Sequence, residues 1–597
     1  MSIRHSLFLL AVVSGLSTIA CSAETDPSEV VLPSDTILEA QGGVGLLGGG
    51  VIVAPPPSLT AIPAVGSVHP QLEAVDDAVR AFMRATCTGA VSVAVGFGGK
   101  APLLARGYGY KSGPPNQACG SAGDPFVGGA KIGPNTAFRI GSNSKAITAA
   151  ITRIVLKQKL ANLGRPATDA ELESLRVFDD RLDLVSPALR RAVSGPTGGG
   201  AGAVCVSGPV SPVMANGLPD SRWRDMTVGH LLGHRSGLPR SGNPVTSKLA
   251  TIRGINSMAQ LHAESLLVGA PAAARSAVAG PNNTGRFIRA ATLEEYLIGN
   301  VDLCLERAPG AAPAPTEDAY SNIGYAILQH IAEHVSGRPL SAELGQAGGH
   351  DTSLIGQFLQ TRLGITKGAD SAEGIYFSQP IEDLRDASEP KYRGWDGTSQ
   401  NGQFFDLKRP WCNWVGNRCD GSAWDSNDRR FSWEWANAKV GVSYSNEGIA
   451  SGVGLLAAEM PLYLRFMAKY WVSGSGSVPL YGRERAPNSS APRWHIGELT
   501  GSHSTVAQFN GGFVEYIPVP RKANGELDLA KFNANLKTKG CYLPMKLDLA
   551  LAANQVNDAV CTPTAGLICS ERYMALRDVV KEALCSVDWK KVDAQLF

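Results

Sequence analysis

The sequence predicts an α/β protein of the α+β type, with an antiparallel central sheet flanked by N- and C-terminal helices and a mainly helical subdomain beside it. Three observations carry that expectation. An amphipathic helix with Leu72, Val75, Val79, Phe82 and Met83 on one face precedes two strand-like runs, Val91 to Phe97 and Leu103 to Tyr110, turned by Gly98-Gly99. Near the other end, alternating patterns at Val506 to Phe509 and Phe513 to Ile517 precede a helix around Tyr573 to Leu584, apolar at Met574, Val579, Val580 and Leu584. Between these ends lie two helical apolar stripes, one at Ile147, Ile151, Ile154 and Val155, the other from Ile323 to Val335 and ended by Gly337. The order predicts that the closing helix packs on the sheet beside the opening one, and that the runs at 506–509 and 513–517 are edge strands.

Composition narrows the class. Of 597 residues, 44% are hydrophobic and 18% charged, which fits a soluble body with one large or two smaller domains. The net charge is +2 without a basic stripe, so no nucleic-acid partner is expected. Past the first two dozen residues, no apolar run is long enough to cross a bilayer. At the N-terminus, Arg4 and His5 precede the apolar run Leu7 to Val13 and small residues up to Ala20-Cys21, the pattern of an export signal over 1–21. Setting Cys21 aside leaves ten cysteines, an even number with no Cys-x-x-Cys pair, which points to disulfides in an oxidising compartment rather than to zinc. Cys412 with Cys419 is the local pair expected, and the other pairings stay open. Residues 22–68, rich in Gly, Pro and Ala, read as a flexible tether. The remainder, 69–597, is expected to be one domain with long insertions at about 160–222, 240–318 and 390–440, the glycine-heavy stretch 195–208 lying on its surface.

The chemistry concentrates in Phe138-Arg-Ile-Gly-Ser142-Asn-Ser-Lys145, which opens the first helical stripe. Ser142 and Lys145 are three apart, so on a helix the amine reaches the hydroxyl. A serine hydroxyl attacks well only when a neighbour takes its proton, and a lysine does so where burial and neighbours lower its pKa. Free N–H groups at a helix start also favour the oxyanion that forms when a carbonyl is attacked. The plainer reading is an N-cap serine beside a solvated lysine. Ser144, two residues from Ser142, faces elsewhere on the helix, so its replacement is expected to matter much less.

Later segments supply partners. Trp223 to Pro239 reads as a Thr227 cap, a short apolar helix and a Gly-Leu-Pro stop; His230 and His234, four apart but with no intervening glutamate or third ligand, read as capping or packing residues rather than a metal pair. Tyr320-Ser-Asn322 opens the second helical stripe after the turn Ala308-Pro-Gly310, where the tyrosine can relay a proton and the asparagine can hold an amide. A second Tyr-Ser-Asn at Tyr444 leads instead into the glycine-rich 447–452. Trp494-His495-Ile496-Gly497-Glu498 forms a strand pattern that can bring a backbone N–H, an imidazole and a close-packing glycine to the serine. The cluster Trp411, Trp414, Trp424, Trp433 and Trp435 reads either as a disulfide-held cover of the core or as an aromatic flap over the cleft.

In this order, Ser142-x-x-Lys145, Tyr320-x-Asn322 and His495-x-Gly497 resemble the serine β-lactamase and D-alanyl-D-alanine carboxypeptidase superfamily, a group of penicillin-binding-protein-like enzymes, over about residues 70 to 597 and particularly its class C-like branch with esterases and D-aminopeptidases. The resemblance implies a β-lactamase/transpeptidase-like fold in which Ser142 is acylated, Lys145 and Tyr320 share acid and base work and Asn322 orients the substrate amide. It implies further that His495 stands where many relatives carry lysine, and that the N–H groups of Ser142 and Glu498 hold the oxyanion. The acidic side chain of Glu498 and a neutral His495 both disfavour a carboxylate-bearing β-lactam. No cofactor and no metal are called for. Ser17-Thr-Ile-Ala-Cys21 also resembles a bacterial lipobox with Thr18 in place of the usual leucine, which implies a lipidated Cys21, a membrane-anchored lipoprotein and a periplasmic or cell-envelope location; ordinary cleavage after Ala23 is the alternative.

The expected protein is an exported serine hydrolase that forms an acyl-enzyme on Ser142 and cleaves an amide or ester, such as a D-amino-acid peptide or a small ester. A β-lactamase is one alternative. A non-catalytic cell-wall or glycan-binding module on the same fold is another, which the intact constellation of Ser142, Lys145 and Tyr320 disfavours. The order of elements and the lack of a Gly-x-Ser-x-Gly elbow disfavour a lipase-like α/β-hydrolase. The sequence leaves the oligomeric state open.

Overall fold

Six antiparallel strands form the central sheet of the computed structural model, which describes residues 62–596 apart from 87, 112–128, 197–203, 208–210, 243–292, 314–318, 342–351, 366–373, 379–388, 391–413, 416–417, 420–450, 455, 475–478, 487–491, 500–501, 530, 533–535 and 555–568. In chain order the strands are β1 (Ala64–Val68), β2 (Ala90–Phe97), β3 (Leu104–Gly109), β4 (Arg493–Leu499), β5 (Ser502–Gln508) and β6 (Leu547–Ala553). Their spatial order is β1-β3-β2-β6-β5-β4, so β6 joins the hairpin from the start of the chain to the hairpin near its end. All described residues belong to the compact unit Val53–Phe597.

Side-chain size sorts the two faces of this sheet. Val91, Val93 and Val95 of β2 and Leu547, Leu549 and Leu551 of β6 join one buried cluster with Val75, Val79 and Phe82 of helix α1 (Glu73–Thr86) and with Leu576, Val580 and Leu584 of the closing helix. Alternation sends the small Ala90, Ala94, Ala550 and Ala552 to the other cluster, where helix α2 (Ser144–Asn162) contributes Ile147 and Ile151. Small residues on that face let the helical layer approach, and each large apolar side chain buried on either face contributes about 2 kcal/mol. The same second cluster holds the helical subdomain. Its helices include α3 (Val228–Leu232), α4 (Asn322–Ser336) and the segments Asp169–Ser174, Pro187–Ser194 and Leu293–Gly299. Local signals set the ends: the Ser321 hydroxyl accepts from the N–H of Gly324 at the start of α4, and Gly337 closes that helix with a φ of 68°. The closing helix, α5 (Cys569–Cys585), packs beside α1 as predicted.

Several expectations need correction. The tether does not run to residue 68, because Ala64–Val68 is the edge strand β1, paired antiparallel with β3. A run of Ala, Gly, Ser and Val reads as featureless in sequence, yet Gly66 is what lets β1 approach, since a Cβ there would lie 2.1 Å from the Ala105 carbonyl oxygen. The run from Val506 is interior, since β5 lies between β4 and β6, and β4 is the edge strand. Phe513–Tyr516 leaves the main sheet altogether and pairs with Lys539–Tyr542. A disulfide between Cys541 and Cys585 ties that ribbon to the end of α5, and a second links Cys205 to Cys304. The segment expected to be an insertion from about 160 is partly core: Leu172, Val177, Leu184 and Leu189 are all within 1% of complete burial.

The export signal, Cys21, Cys412, Tyr444 and Trp411, Trp424, Trp433 and Trp435 lie outside the described residues. Trp414–Val415 and Arg418–Cys419 form a short antiparallel pair. No helix among the described residues is long and apolar enough to cross a membrane.

The subdomain carries an acid-sensitive joint. The N–H of Ser186 donates to Nε2 of the buried His330 at 3.2 Å, a contact that needs the unprotonated nitrogen. Burial, reinforced by the charge of His334, pushes His330 down to about 4 from 6.5. The unfolded chain therefore takes up this proton first as pH falls, so the stabilisation is complete above about 6.5 and is lost between about 6.5 and 4, amounting to about 3 kcal/mol at most. His330→Gln is expected to flatten the fall of melting temperature over that window relative to wild type; parallel curves would contradict this.

Candidate active site

Strand Ala137–Arg139 is fully buried and runs straight into the turn that presents Ser142. Gly141 has a φ of 51°, a backbone conformation that a side chain disfavours, and a 3-10 turn over Gly141–Asn143 follows before α2 begins. Ser144 holds the turn instead: its hydroxyl donates to the Gly141 carbonyl at 2.7 Å and accepts from the N–H of Leu456 at 3.2 Å. The helical spacing brings Lys145 to Ser142. Lys145 is completely buried, and its Nζ donates to Ser142 Oγ at 3.0 Å and to the Val453 carbonyl at 2.8 Å. The amine also lies 4.7 Å from the centre of the Tyr320 ring and 5.9 Å from that of Tyr325.

Tyr320 and Asn322 reach the same cleft through the start of α4. The N–H of Ser321 donates to Nδ1 of His234 at 3.0 Å, and the Ser321 hydroxyl donates to the Pro239 carbonyl at 2.9 Å. His234 stacks on Tyr320 with ring centres 4.4 Å apart. Burial, then the charges of Lys145, His495 and Arg240, keep His234 neutral far below the usual imidazole range. His234 is thus a packing residue and His230 a capping one, since His230 completes a capping box with Thr227. Asn322 receives its backbone support from Arg240, whose carbonyl accepts its N–H at 2.7 Å, and its Nδ2 lies 3.5 Å from Ser241 Oγ.

The third wall is β4. Nδ1 of His495 is 3.1 Å from Asn143 Oδ1, and burial, followed by the charge of Lys145, pushes this imidazole down to about 3. Gly497 is required by contact: a Cβ there would sit 1.9 Å from the Ile140 carbonyl oxygen and 2.6 Å from Ser504 Oγ. A Cβ on Gly141 would in turn meet the backbone nitrogen of Glu498 at 2.5 Å. These two glycines therefore let the edge strand lie directly on the nucleophile turn, with the Glu498 N–H beside it. The Glu498 side chain is 44% exposed and lies 3.6 Å from Nδ1 of His503. Burial would raise its pKa, but the neighbouring imidazole of His503 together with the charge of Arg240 holds it below the usual range.

Ser142, Lys145, Tyr320 and His495 thus line one cleft, with Asn322, Gly497 and Glu498 on its supporting elements. Four residues of the site were missed from sequence. Asn143 and Ser504 form a side-chain link across 361 positions, and no local pattern marks it. Arg240, whose guanidinium carbon lies 5.3 Å from the Tyr320 ring centre, follows the Gly-Leu-Pro stop and carried no motif. Tyr481 packs edge-on against both His234 and His495, at 5.5 and 5.4 Å. It is brought there by the buried Arg153, whose Nε donates to the Tyr481 carbonyl at 3.0 Å. Chemically, the arrangement offers a hydroxyl, an adjacent buried amine, a phenol and backbone N–H groups at a turn, the set that acyl transfer uses.

Replacing Gly497 by Ala is expected to force β4 off the Ile140 turn at a cost of about 2 kcal/mol or more, seen as a lower melting temperature. An unchanged melting temperature would show that the contact is not needed.

The family model described as Beta-lactamase matches residues 75–347, which include Ser142, Lys145, Tyr320 and Asn322. No curated protein matches the sequence. Among solved structures, the chain is similar to the octameric penicillin-binding protein homologue from Pyrococcus abyssi, at 16% identity and a TM-score of 0.37, covering 85% of this chain and 76% of that one. It is similar to the D-amino acid amidase from Ochrobactrum anthropi SV3 at 15% identity and a TM-score of 0.35, covering 85% and 99%. It is also similar to a penicillin-binding protein homologue from Caulobacter crescentus at 13% identity and a TM-score of 0.38, covering 87% and 100%. Residues 75–347 of this chain are thus similar to the β-lactamase family.

Proposed function

We propose that this protein is an exported serine hydrolase that acylates Ser142 and then releases the acyl group to water, acting on an amide or ester such as a D-amino-acid peptide or small ester. The observation that carries the reading is the 3.0 Å contact between Ser142 Oγ and Nζ of a wholly buried Lys145. Burial disfavours the ammonium form, so the amine is suited to take the hydroxyl proton while one of its own N–H groups stays on the Val453 carbonyl. Oγ bonds to the substrate carbonyl carbon, and the N–H groups of Ser142 and Glu498 receive the oxyanion. Collapse breaks the bond to the leaving group, which takes up the proton from Lys145 directly or through the Tyr320 hydroxyl. Water then attacks the acyl-enzyme, gives its proton to the same base, and Oγ leaves with a proton restored. Asn322 is positioned to orient the substrate amide. The ten cysteines past Cys21, four of them in the two disulfides described, support an oxidising compartment and hence export, with Cys21 as the lipid attachment point.

The reading separates two neighbouring serines. Ser142→Ala is expected to abolish hydrolysis of an activated ester with no loss of melting temperature, and Lys145→Ala to lower kcat by about 10²–10⁴-fold. Ser144→Ala is expected to lower the melting temperature, because two buried hydrogen bonds are lost, yet to retain measurable turnover. Full activity in Ser142→Ala would refute the assignment.

A further inference from the structure

Hydrogen-bond directions around Asn143 fix more than the position of His495. Ser504 Oγ lies 2.7 Å from the Ile140 carbonyl oxygen, and only the serine can supply a hydrogen to that contact. Its single hydrogen is thereby used, so the Asn143 side-chain atom 2.7 Å from Ser504 Oγ is the donating Nδ2. Asn143 must then turn Oδ1, an acceptor, toward Nδ1 of His495 at 3.1 Å. Nδ1 therefore carries the imidazole proton. The opposite orientation would leave the Ser504 and Ile140 oxygens 2.7 Å apart with no hydrogen between them. Asn143 and Ser504 are at most 1% exposed, and the Tyr463 hydroxyl holds the Asn143 carbonyl at 2.8 Å, so the relay has no slack.

The other nitrogen is left as a lone-pair acceptor. Among the described residues, Nε2 of His495 has no hydrogen-bond partner, and the ring is only partly buried, 6.4 Å from the Tyr320 ring and 5.4 Å from the Tyr481 ring. It stands beside Lys145 and Tyr320, the groups that handle the leaving group's proton in the reading above. We infer that the Ile140–Ser504–Asn143 relay locks His495 in the Nδ1–H form, so that Nε2 accepts a hydrogen bond from the substrate's leaving group and selects one bearing an N–H or O–H donor over one bearing a carboxylate. Lone pairs of a carboxylate and of Nε2 would face each other without a proton, whereas an amide, ammonium or hydroxyl pairs with Nε2 directly. Asn143 and Ser504 are positioning residues in this account. The substrate arm rests on the hydrolase reading, and the tautomer arm does not.

The tautomer is read by long-range ¹H–¹⁵N correlation on the full chain labelled at histidine nitrogens, at neutral pH, with His495 assigned by the signal missing from His495→Gln. The expected spectrum has the proton on Nδ1 and none on Nε2, and Ser504→Ala is expected to give a mixture of tautomers. A proton on Nε2, or on both nitrogens, would overturn the inference. The substrate arm compares kcat/KM for the 3-hydroxymethyl and 3-carboxy derivatives of 4-nitrophenyl acetate, each relative to its rate with hydroxide. Wild type is expected to favour the hydroxymethyl ester by about tenfold or more, and His495→Lys to shift the ratio toward the carboxylate by about tenfold or more. An unchanged ratio in His495→Lys would overturn the selectivity claim. If wild type cleaves neither ester, the hydrolase reading fails while the nitrogen spectrum still decides the tautomer.

Discussion

A lysine amine held out of water within 3.0 Å of a serine hydroxyl is the contact on which the site depends. Burying a lysine amine is expensive unless its hydrogens are matched, and here the Val453 carbonyl accepts one while the rings of Tyr320 and Tyr325 lie around it. Val453 comes from the short helix Ser451–Gly454, Tyr320 from the start of α4 and Lys145 from α2. Three separate elements must therefore dock before the amine is accommodated. The core explains why they do: α2, α4 and the strand Leu456–Glu459 share one apolar cluster through Ile151, Leu328 and Leu456.

Backbone fit and charge follow from the same arrangement. Gly141 and Gly497 let β4 lie against the nucleophile turn, which brings the Glu498 N–H to the serine and His495 to Asn143. His234 and His495, both pushed well below their ordinary range chiefly by burial and then by Lys145, stay neutral at the working pH. The cleft thus places two neutral imidazoles around one buried amine, and the exposed cation Arg240 and the carboxylate of Glu498 stand at its rim.

Much of this was legible in the sequence for identifiable reasons. Ser142 and Lys145 are linked by helical spacing, Tyr320 and Asn322 by a helix start, and His495 and Gly497 by strand alternation, all local rules. The opening helix, its hairpin and the closing helix were likewise readable from periodicity. What was not legible is long-range or lacks a large side chain. β1 is a strand of small residues that depends on one glycine, and the ribbon Phe513–Tyr516 has strand alternation but a partner other than the one expected. The Asn143 to Ser504 contact joins residues from opposite ends of the domain, and Ser144 meets Leu456 only in the folded chain.

The central claim is that Ser142 becomes acylated. The direct measurement is an acid-quenched reaction of the purified chain with an activated acetyl ester, followed by peptide fragmentation across Ile140 to Lys145, which contains both Ser142 and Ser144. Acetyl on Ser142 is the predicted result. Acetyl on Ser144, on Lys145 or on no residue of this peptide while the ester is being consumed would contradict the account.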